Sequence, residues 1–209
     1  MEVLGVSLRS YFVQYRFILP DSIKHSSYTY QKLFRAIYGY TQAVNKGSGK
    51  TYKYHRAGIL SNYPYIRPGK NCVIIPQPAF QSLQEFFKTG RNPTHLWQEK
   101  GEWKCTYFLN EKDLSEKEVV LALENLLARK YLSGLEGPAR VDAELKRATE
   151  KGVDEGYKQA LLKEAQQIVE FDWFKSTYSF SPVLSEFYSN YRFLKGGTNQ
   201  TIPSQQAQN

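Results

Sequence analysis

The chain is poor in cysteine and methionine, with two Cys and one Met among 209 residues. Two cysteines exclude a disulfide scaffold and any all-cysteine zinc or iron–sulfur site. No apolar run approaches the roughly 18–20 residues that a membrane-spanning helix needs. At the amino end, Arg9 and Arg16 interrupt the apolar stretch, and no small-residue cleavage site follows. We therefore expect a soluble cytoplasmic protein that does not contact membranes.

Acidic residues are nearly missing from the first part of the chain. Residues 1–84 contain 11 Lys and Arg but only Glu2 and Asp21, so their net charge is 11 − 2 = +9. The remainder has 17 basic and 18 acidic residues, a net charge of −1. Ten of the sixteen tyrosines lie between Tyr11 and Tyr65, in the same basic region. A basic, tyrosine-rich segment on a neutral chain favours an anionic partner such as nucleic acid.

Residues that usually bind metals or cofactors are too scattered to predict such a site. His25, His55 and His95 are 30 and 40 residues apart, which provides no local ligand pair. The segment 47–51, Gly-Ser-Gly-Lys-Thr, resembles the end of a phosphate-binding P-loop. That motif requires a glycine where Val44 stands, and a strand before and a helix after it, whereas the pattern here predicts the reverse order. We therefore predict no cofactor, no metal and no nucleotide hydrolysis, and interpret this segment as a flexible turn.

Apolar periodicity predicts an α+β domain over residues 1–133. Residues 7–19 alternate as a strand, and a helix follows an N-cap at Ser26 or Ser27, with an apolar stripe that reaches Thr41. We expect a small, mostly antiparallel sheet of about four strands with packed helices. Further strands are predicted at 51–60, 71–75 and 103–109, and further helices at 78–90 and behind the capping box that begins at Ser115.

Residues 134–195 are predicted to form a helical extension that contains a long, charged helix over about 139–172. Its narrow apolar stripe is typical of packing against either a partner helix or the parent domain. Gly152 and Gly156 weaken the middle of this helix and indicate a break. We expect homo-oligomerisation through this region and a disordered Gln/Asn/Ser-rich tail over 196–209.

The stretch from Lys50 to Arg56 carries the strongest functional signal. In a strand, Tyr52, Tyr54 and Arg56 fall on one face about 7 Å apart, which suits unstacked bases resting on rings. We therefore predict binding of single-stranded DNA or RNA by stacking and phosphate contacts, with low sequence specificity and no catalysis. The candidate residues are Lys32, Arg35, Lys46, Lys50, Tyr52, Lys53, Tyr54, His55, Arg56, Tyr63, Tyr65, Arg67 and Lys70.

Three alternatives remain open. The tyrosines can be half-buried strand residues, because tyrosine favours sheets in any case. The chain can be a nuclease, with either carboxylates borrowed from its second half or His55 as a general base beside lysine. It can also be an interaction protein that docks its basic face on an acidic protein.

The overall pattern resembles the ThermoDBP-type single-stranded DNA-binding proteins of archaea. The likeness lies in the Lys50–Arg56 strand, the surrounding strands and the helix at 139–172, without a shared diagnostic motif. The break near Gly152 and an aromatic segment at 171–194 depart from that family. The resemblance implies bases held in an aromatic cleft with basic rims, and oligomerisation through the C-terminal helix.

Overall fold

A computed structural model describes residues 8–24, 26–45, 51–90, 103–132 and 139–196, with the backbone alone at 51–54. Within this part of the chain the strands are β1 (Leu8–Ile18), β2 (Tyr40–Asn45), β3 (Thr51–Arg56), β4 (Ile66–Gly69), β5 (Cys72–Pro76) and β6 (Lys104–Leu114). The helices are α1 (Tyr28–Tyr38), α2 (Gln77–Thr89), α3 (Glu116–Arg129), α4 (Val141–Lys151), α5 (Glu155–Val169), α6 (Asp172–Thr177) and α7 (Pro182–Gly196). The predicted α+β class is confirmed.

The strands form a four-stranded antiparallel sheet and a separate hairpin. The sheet order is β4-β5-β1-β6, and β2 pairs only with β3. β1 is central and pairs with β6 over its whole length, from Leu8 to Ile18. Its pairing with β5 is shorter and ends where Gln14 lies opposite Cys72. The last residues of β1 therefore have a strand on one side only.

One face of the sheet is covered by α1 and α2. Alternate residues of β1, Val13, Tyr15 and Phe17, are almost fully buried against the apolar stripes of these two helices. This agrees with the predicted alternation, in which the odd-numbered residues form the core face. The expected N-cap at Ser27 and the end of α2 at Gly90 are also present.

The opposite face of the sheet packs against the C-terminal helices, but only over part of its length. Leu8 on β1, Ile74 on β5 and Leu114 on β6 belong to the same hydrophobic cluster as α3 to α7. The apolar stripe of α4 and α5 is buried in this cluster and packs mainly against α7, with a smaller contact between α4 and α3 of the parent domain. The buried stripe residues are Val141, Leu145, Ala148, Leu161, Ala165 and Ile168.

The predicted long helix is divided at the expected place. α4 ends at Lys151, where Gly152 takes a φ of 69°, and α5 begins after its N-cap Asp154. Glycine adopts this left-handed conformation without the steric cost that other residues meet. Two shorter helices, rather than one rod, therefore pack against each other and against α7.

α1 and the β2–β3 hairpin meet through a close backbone contact. The periodicity predicts that α1 includes Thr41, but α1 ends at Tyr38 because Gly39, its C-cap, has a φ of 74°, and β2 begins at the next residue, Tyr40. After β3, the amides of Ile59 and Leu60 donate to backbone carbonyls near the end of α1, both at 2.8 Å. This is why the predicted strand over 51–60 stops at Arg56.

Several sequence predictions fall outside the described residues. These are residues 47–50 of the segment interpreted as a flexible turn, and residues 197–209 of the tail predicted to be disordered. No helix of the described part combines the length and apolar character needed to cross a membrane.

Gly58 is the position where the α1–hairpin contact is least tolerant of a side chain. An added Cβ would lie 2.2 Å from the Gly39 nitrogen and 2.7 Å from the Ile37 carbonyl oxygen, so the backbone would have to move. We expect Gly58→Ala to lower the free energy of unfolding by about 1–3 kcal/mol or more. Gly69→Ala is the control, because nothing lies within 4 Å of its added Cβ. Equal denaturant midpoints for the two variants would contradict this contact.

Candidate nucleic-acid interface

The first turns of α1 place two cations over an exposed tyrosine ring. Tyr28 is 58% exposed. The Lys32 Nζ lies 4.8 Å from its ring centroid and the Arg35 Cζ lies 5.3 Å from it. The spacings of four and seven residues bring these side chains to one side of the helix. Such cation–π contacts are worth about 0.5–1 kcal/mol each at exposed sites.

The hairpin continues this arrangement. Arg35 also lies 4.9 Å from the ring centroid of Tyr40, the first residue of β2. Tyr40 in turn is the register partner of Arg56, the last residue of β3, and Arg56 is exposed. We call the set Tyr28, Lys32, Arg35, Tyr40 and Arg56 the hairpin surface. It joins residues of one helix and two strands.

The register extends the same face toward the far end of the hairpin. Tyr54 lies opposite Gln42 and Tyr52 lies opposite Val44, so both tyrosines occupy the strand face that carries Arg56. Lys53 and His55 occupy the other face. The helix and the strand predicted separately are thus brought together on one surface. Lys46 and Lys50 lie outside the described residues, next in the chain to the ends of β2 and β3.

His55 lies apart from the hairpin surface and packs against the end of α3. Its ring centroid is 5.2 Å from that of Tyr131, and its Nδ1 is buried without a hydrogen-bond partner among the described residues. Burial, together with the nearby positive charge of Arg129, lowers the pKa of His55 below its ordinary value. A neutral, half-buried imidazole is a poor phosphate ligand.

Tyr63, Tyr65 and Arg67 serve largely to pack the loop before β4. The Arg129 Cζ lies 4.1 Å from the ring centroid of Tyr65, whose ring also contacts Tyr38 at 5.4 Å. Arg67 covers Tyr38 at 4.3 Å and remains exposed. Arg129 also donates from Nη2 to the Tyr63 carbonyl at 2.6 Å. The half-buried-tyrosine alternative therefore describes Tyr63 and Tyr65 well.

Lys70 belongs to a different place, a cleft at the end of β1. The cleft has a volume of about 590 Å³. We call it the strand-end cleft. Sequence reasoning singled out Lys70 here but missed Arg16 and Phe108. The residues that line this cleft include Gln14, Arg16, Lys70, Asn71, Thr106 and Phe108.

The electrostatics of the two halves of the chain differ. The described salt bridges join residues between 130 and 186, such as Lys130 to Glu164 at 2.7 Å and Lys146 to Glu186 at 2.9 Å. On the hairpin surface, Lys32 and Arg35 lie over tyrosine rings, and a ring does not neutralise the charge of a cation. Across the described residues, no three His, Cys, Asp or Glu side chains are grouped to hold a metal ion.

Tyr28 and Tyr40 were not predicted as site residues. A signal for Tyr28 exists, because Tyr28 and Lys32 are separated by four residues on a predicted helix. Nothing comparable marks Tyr40, since its strand follows the helix after a single glycine.

No family model, curated protein or solved structure matches this chain. The resemblance to the archaeal ThermoDBP-type proteins therefore stays a prediction, and the function has to be argued from the surfaces themselves.

The lowered pKa of His55 predicts a pH-dependent stability. Because the unfolded state binds the proton more readily, the contribution of neutral His55 to the free energy of unfolding is fully present above the unfolded pKa of about 6.5. This contribution is lost as the pH falls toward the lower, folded pKa. His55→Phe keeps a ring against Tyr131 and removes this titration. We expect urea titrations at pH 7.5 and 5 to show a smaller loss of stability for the variant. Identical losses in both proteins would contradict the assignment.

Proposed function

We propose that this protein binds single-stranded DNA or RNA, with low sequence specificity, through the hairpin surface. The observation that carries the proposal is the interleaving of Tyr28 and Tyr40 with Lys32, Arg35 and Arg56 on one partly exposed surface. Rings that accept bases and cations that attract phosphates are the two components of single-strand binding surfaces. The +9 charge of residues 1–84 supports the same partner.

The energetics favour a flexible single strand over a duplex. Each base that stacks on an aromatic ring contributes about 1–3 kcal/mol. Such stacking requires unpaired bases, which a duplex does not offer. Each phosphate contact adds an attraction that weakens with salt. Because every base has a π-face, ring stacking binds the strand without strong sequence preference.

Two further parts of the proposal concern assembly and location. The buried stripe of α4 and α5 is occupied within the domain, so homo-oligomerisation would have to use other residues of the C-terminal helices. Val183 on α7 is one exposed apolar side chain there. Oligomerisation and a cytoplasmic location both stay predictions, which sedimentation and cell fractionation respectively would test.

Removing the two rings tests the stacking mechanism. We expect Tyr28→Ala combined with Tyr40→Ala to weaken binding of a labelled oligothymidylate by about 5-fold or more, measured by fluorescence anisotropy. Phe180→Ala is the matched control, because Phe180 is 59% exposed, as Tyr28 is 58%, but lies in the C-terminal helical layer. Unchanged affinity in the folded double variant would reject stacking on these rings.

The salt dependence tests the phosphate contacts separately. We expect Lys32→Gln combined with Arg35→Gln to reduce the slope of log K against log salt by about 1.4, since each phosphate contact on a single strand contributes about 0.7. Lys151→Gln with Lys163→Gln removes the same charge from exposed positions of the C-terminal helices and should leave the slope nearly unchanged. Equal slope changes in the two pairs would mean that net charge alone attracts the strand. If the protein binds heparin but binds no single strand at low salt, an acidic protein is favoured as the partner.

A further inference from the structure

The strand-end cleft exists because β1 is longer than its neighbour β5. β5 pairs with β1 only as far as Gln14, and one further backbone hydrogen bond joins the Tyr15 amide to the Asn71 carbonyl at 2.9 Å. β1 nevertheless continues to Ile18 beside β6. The missing neighbour leaves a cleft of about 590 Å³ beside the last residues of β1. This volume is in the range of sites that bind small molecules.

The cleft combines an exposed ring with cations. Phe108 on β6 is 60% exposed and lies directly opposite Gln14. Arg16, two residues along β1, is therefore the diagonal neighbour of Phe108, a separation of roughly 7–8 Å. Lys70 lines the same cleft from the turn between β4 and β5, and both cations are exposed. A base on the ring can thus have its phosphate within reach of a cation.

Asn71, one of the residues that line the cleft, has a buried polar atom without a hydrogen-bond partner among the described residues. The Asn71 Oδ1 is buried and accepts no hydrogen bond from the described residues. Asn71 holds a φ of 59°, which non-glycine residues rarely adopt. An orphaned buried acceptor costs about 1–3 kcal/mol unless a ligand or water satisfies it.

We propose that the strand-end cleft binds one nucleotide of the single strand, with the base stacked on Phe108 and the phosphate held by Arg16 and Lys70. No carboxylate is among the described residues that line it, which is consistent with an anionic ligand. The inference rests on the proposed single-strand binding and adds a second, separate contact to it.

The position of α1 allows one single strand to occupy the strand-end cleft and the hairpin surface at the same time. Tyr30 lines the cleft, and Tyr28, two residues earlier in the same helical turn, belongs to the hairpin surface. A strand that leaves one place can therefore enter the other across the start of α1. An aromatic ring at each place favours a strand of several nucleotides over a free mononucleotide.

Three variants test the cleft through binding of a labelled oligothymidylate of about 15 nucleotides. Phe108→Ala should weaken affinity by about 5- to 150-fold, whereas Phe108→Tyr should keep it. Phe193→Ala is the control, because Phe193 is 49% exposed on α7. An unchanged affinity for folded Phe108→Ala would overturn the proposal. A weakened affinity that Phe108→Tyr does not restore would also overturn it, because the ring would then not be the contact.

Photo-crosslinking locates the contact and separates this inference from the proposed function. The probe is the same oligonucleotide with 5-iodouracil, and crosslinked peptides of the full chain are identified by mass spectrometry.

Crosslinks at Phe108 support the cleft whether or not Tyr28 and Tyr40 also react. Crosslinks at Tyr28 or Tyr40 alone overturn the cleft and leave the hairpin surface standing. Crosslinks at Phe108 alone would reject binding at the hairpin surface. If no oligonucleotide binds at all, the proposed function and the cleft are both overturned. Free thymidine monophosphate can be added as a competitor. If it abolishes the Phe108 crosslink and no other, the cleft binds a mononucleotide, and the proposal that it binds a nucleotide of a single strand is overturned.

Discussion

The unequal burial of the two faces of β1 is the constraint on which the rest of the structure depends. Its odd-numbered residues, such as Val13 and Phe17, are buried along the strand against α1 and α2. The even-numbered face is covered by the C-terminal helices near Leu8 and Phe12, whereas Gln14, Arg16 and Ile18 are exposed. Because a strand alternates its side chains with a period of two, covering only half of one face leaves a polar, basic surface there. The open surface therefore lies at the end of β1, on the side of the strand opposite the residues that α1 buries.

Cations are held in two different ways, and the difference has a functional consequence. In the C-terminal helices, lysines and arginines meet carboxylates, as Lys130 meets Glu164 and Arg147 meets Glu144. Around α1 and the hairpin, arginines lie over tyrosine rings, as Arg192 also does on α7. A ring orients a guanidinium without cancelling its charge, so the cation remains able to attract phosphate. The stable helical layer and the proposed binding surfaces are therefore separated within one chain.

Local signals predicted the elements that depend on neighbouring residues. The alternation of β1, the N-cap at Ser27 and the capping box at Ser115 all appear in the structure. β2 and β4 were missed, because β2 follows directly on a helix whose stripe extends to Thr41, and β4 has only four residues, including Pro68. Among the predicted site residues, Lys32, Arg35 and Arg56 lie on the hairpin surface. Tyr65 packs inside the domain, because its ring meets Arg129, which is 64 residues further along the chain.

Composition and periodicity by themselves determined the α+β class, the charge concentrated in residues 1–84 and the stacking potential of alternate tyrosines on β3. They do so because these properties depend on residue type and on spacings of two to four residues. Only the tertiary structure decided which aromatic residues are exposed and which are packed. The pairing of Tyr40 with Arg56, and of Gln14 with Phe108, joins residues distant in the chain through the sheet register. Register and burial follow from long-range packing, which no local pattern encodes.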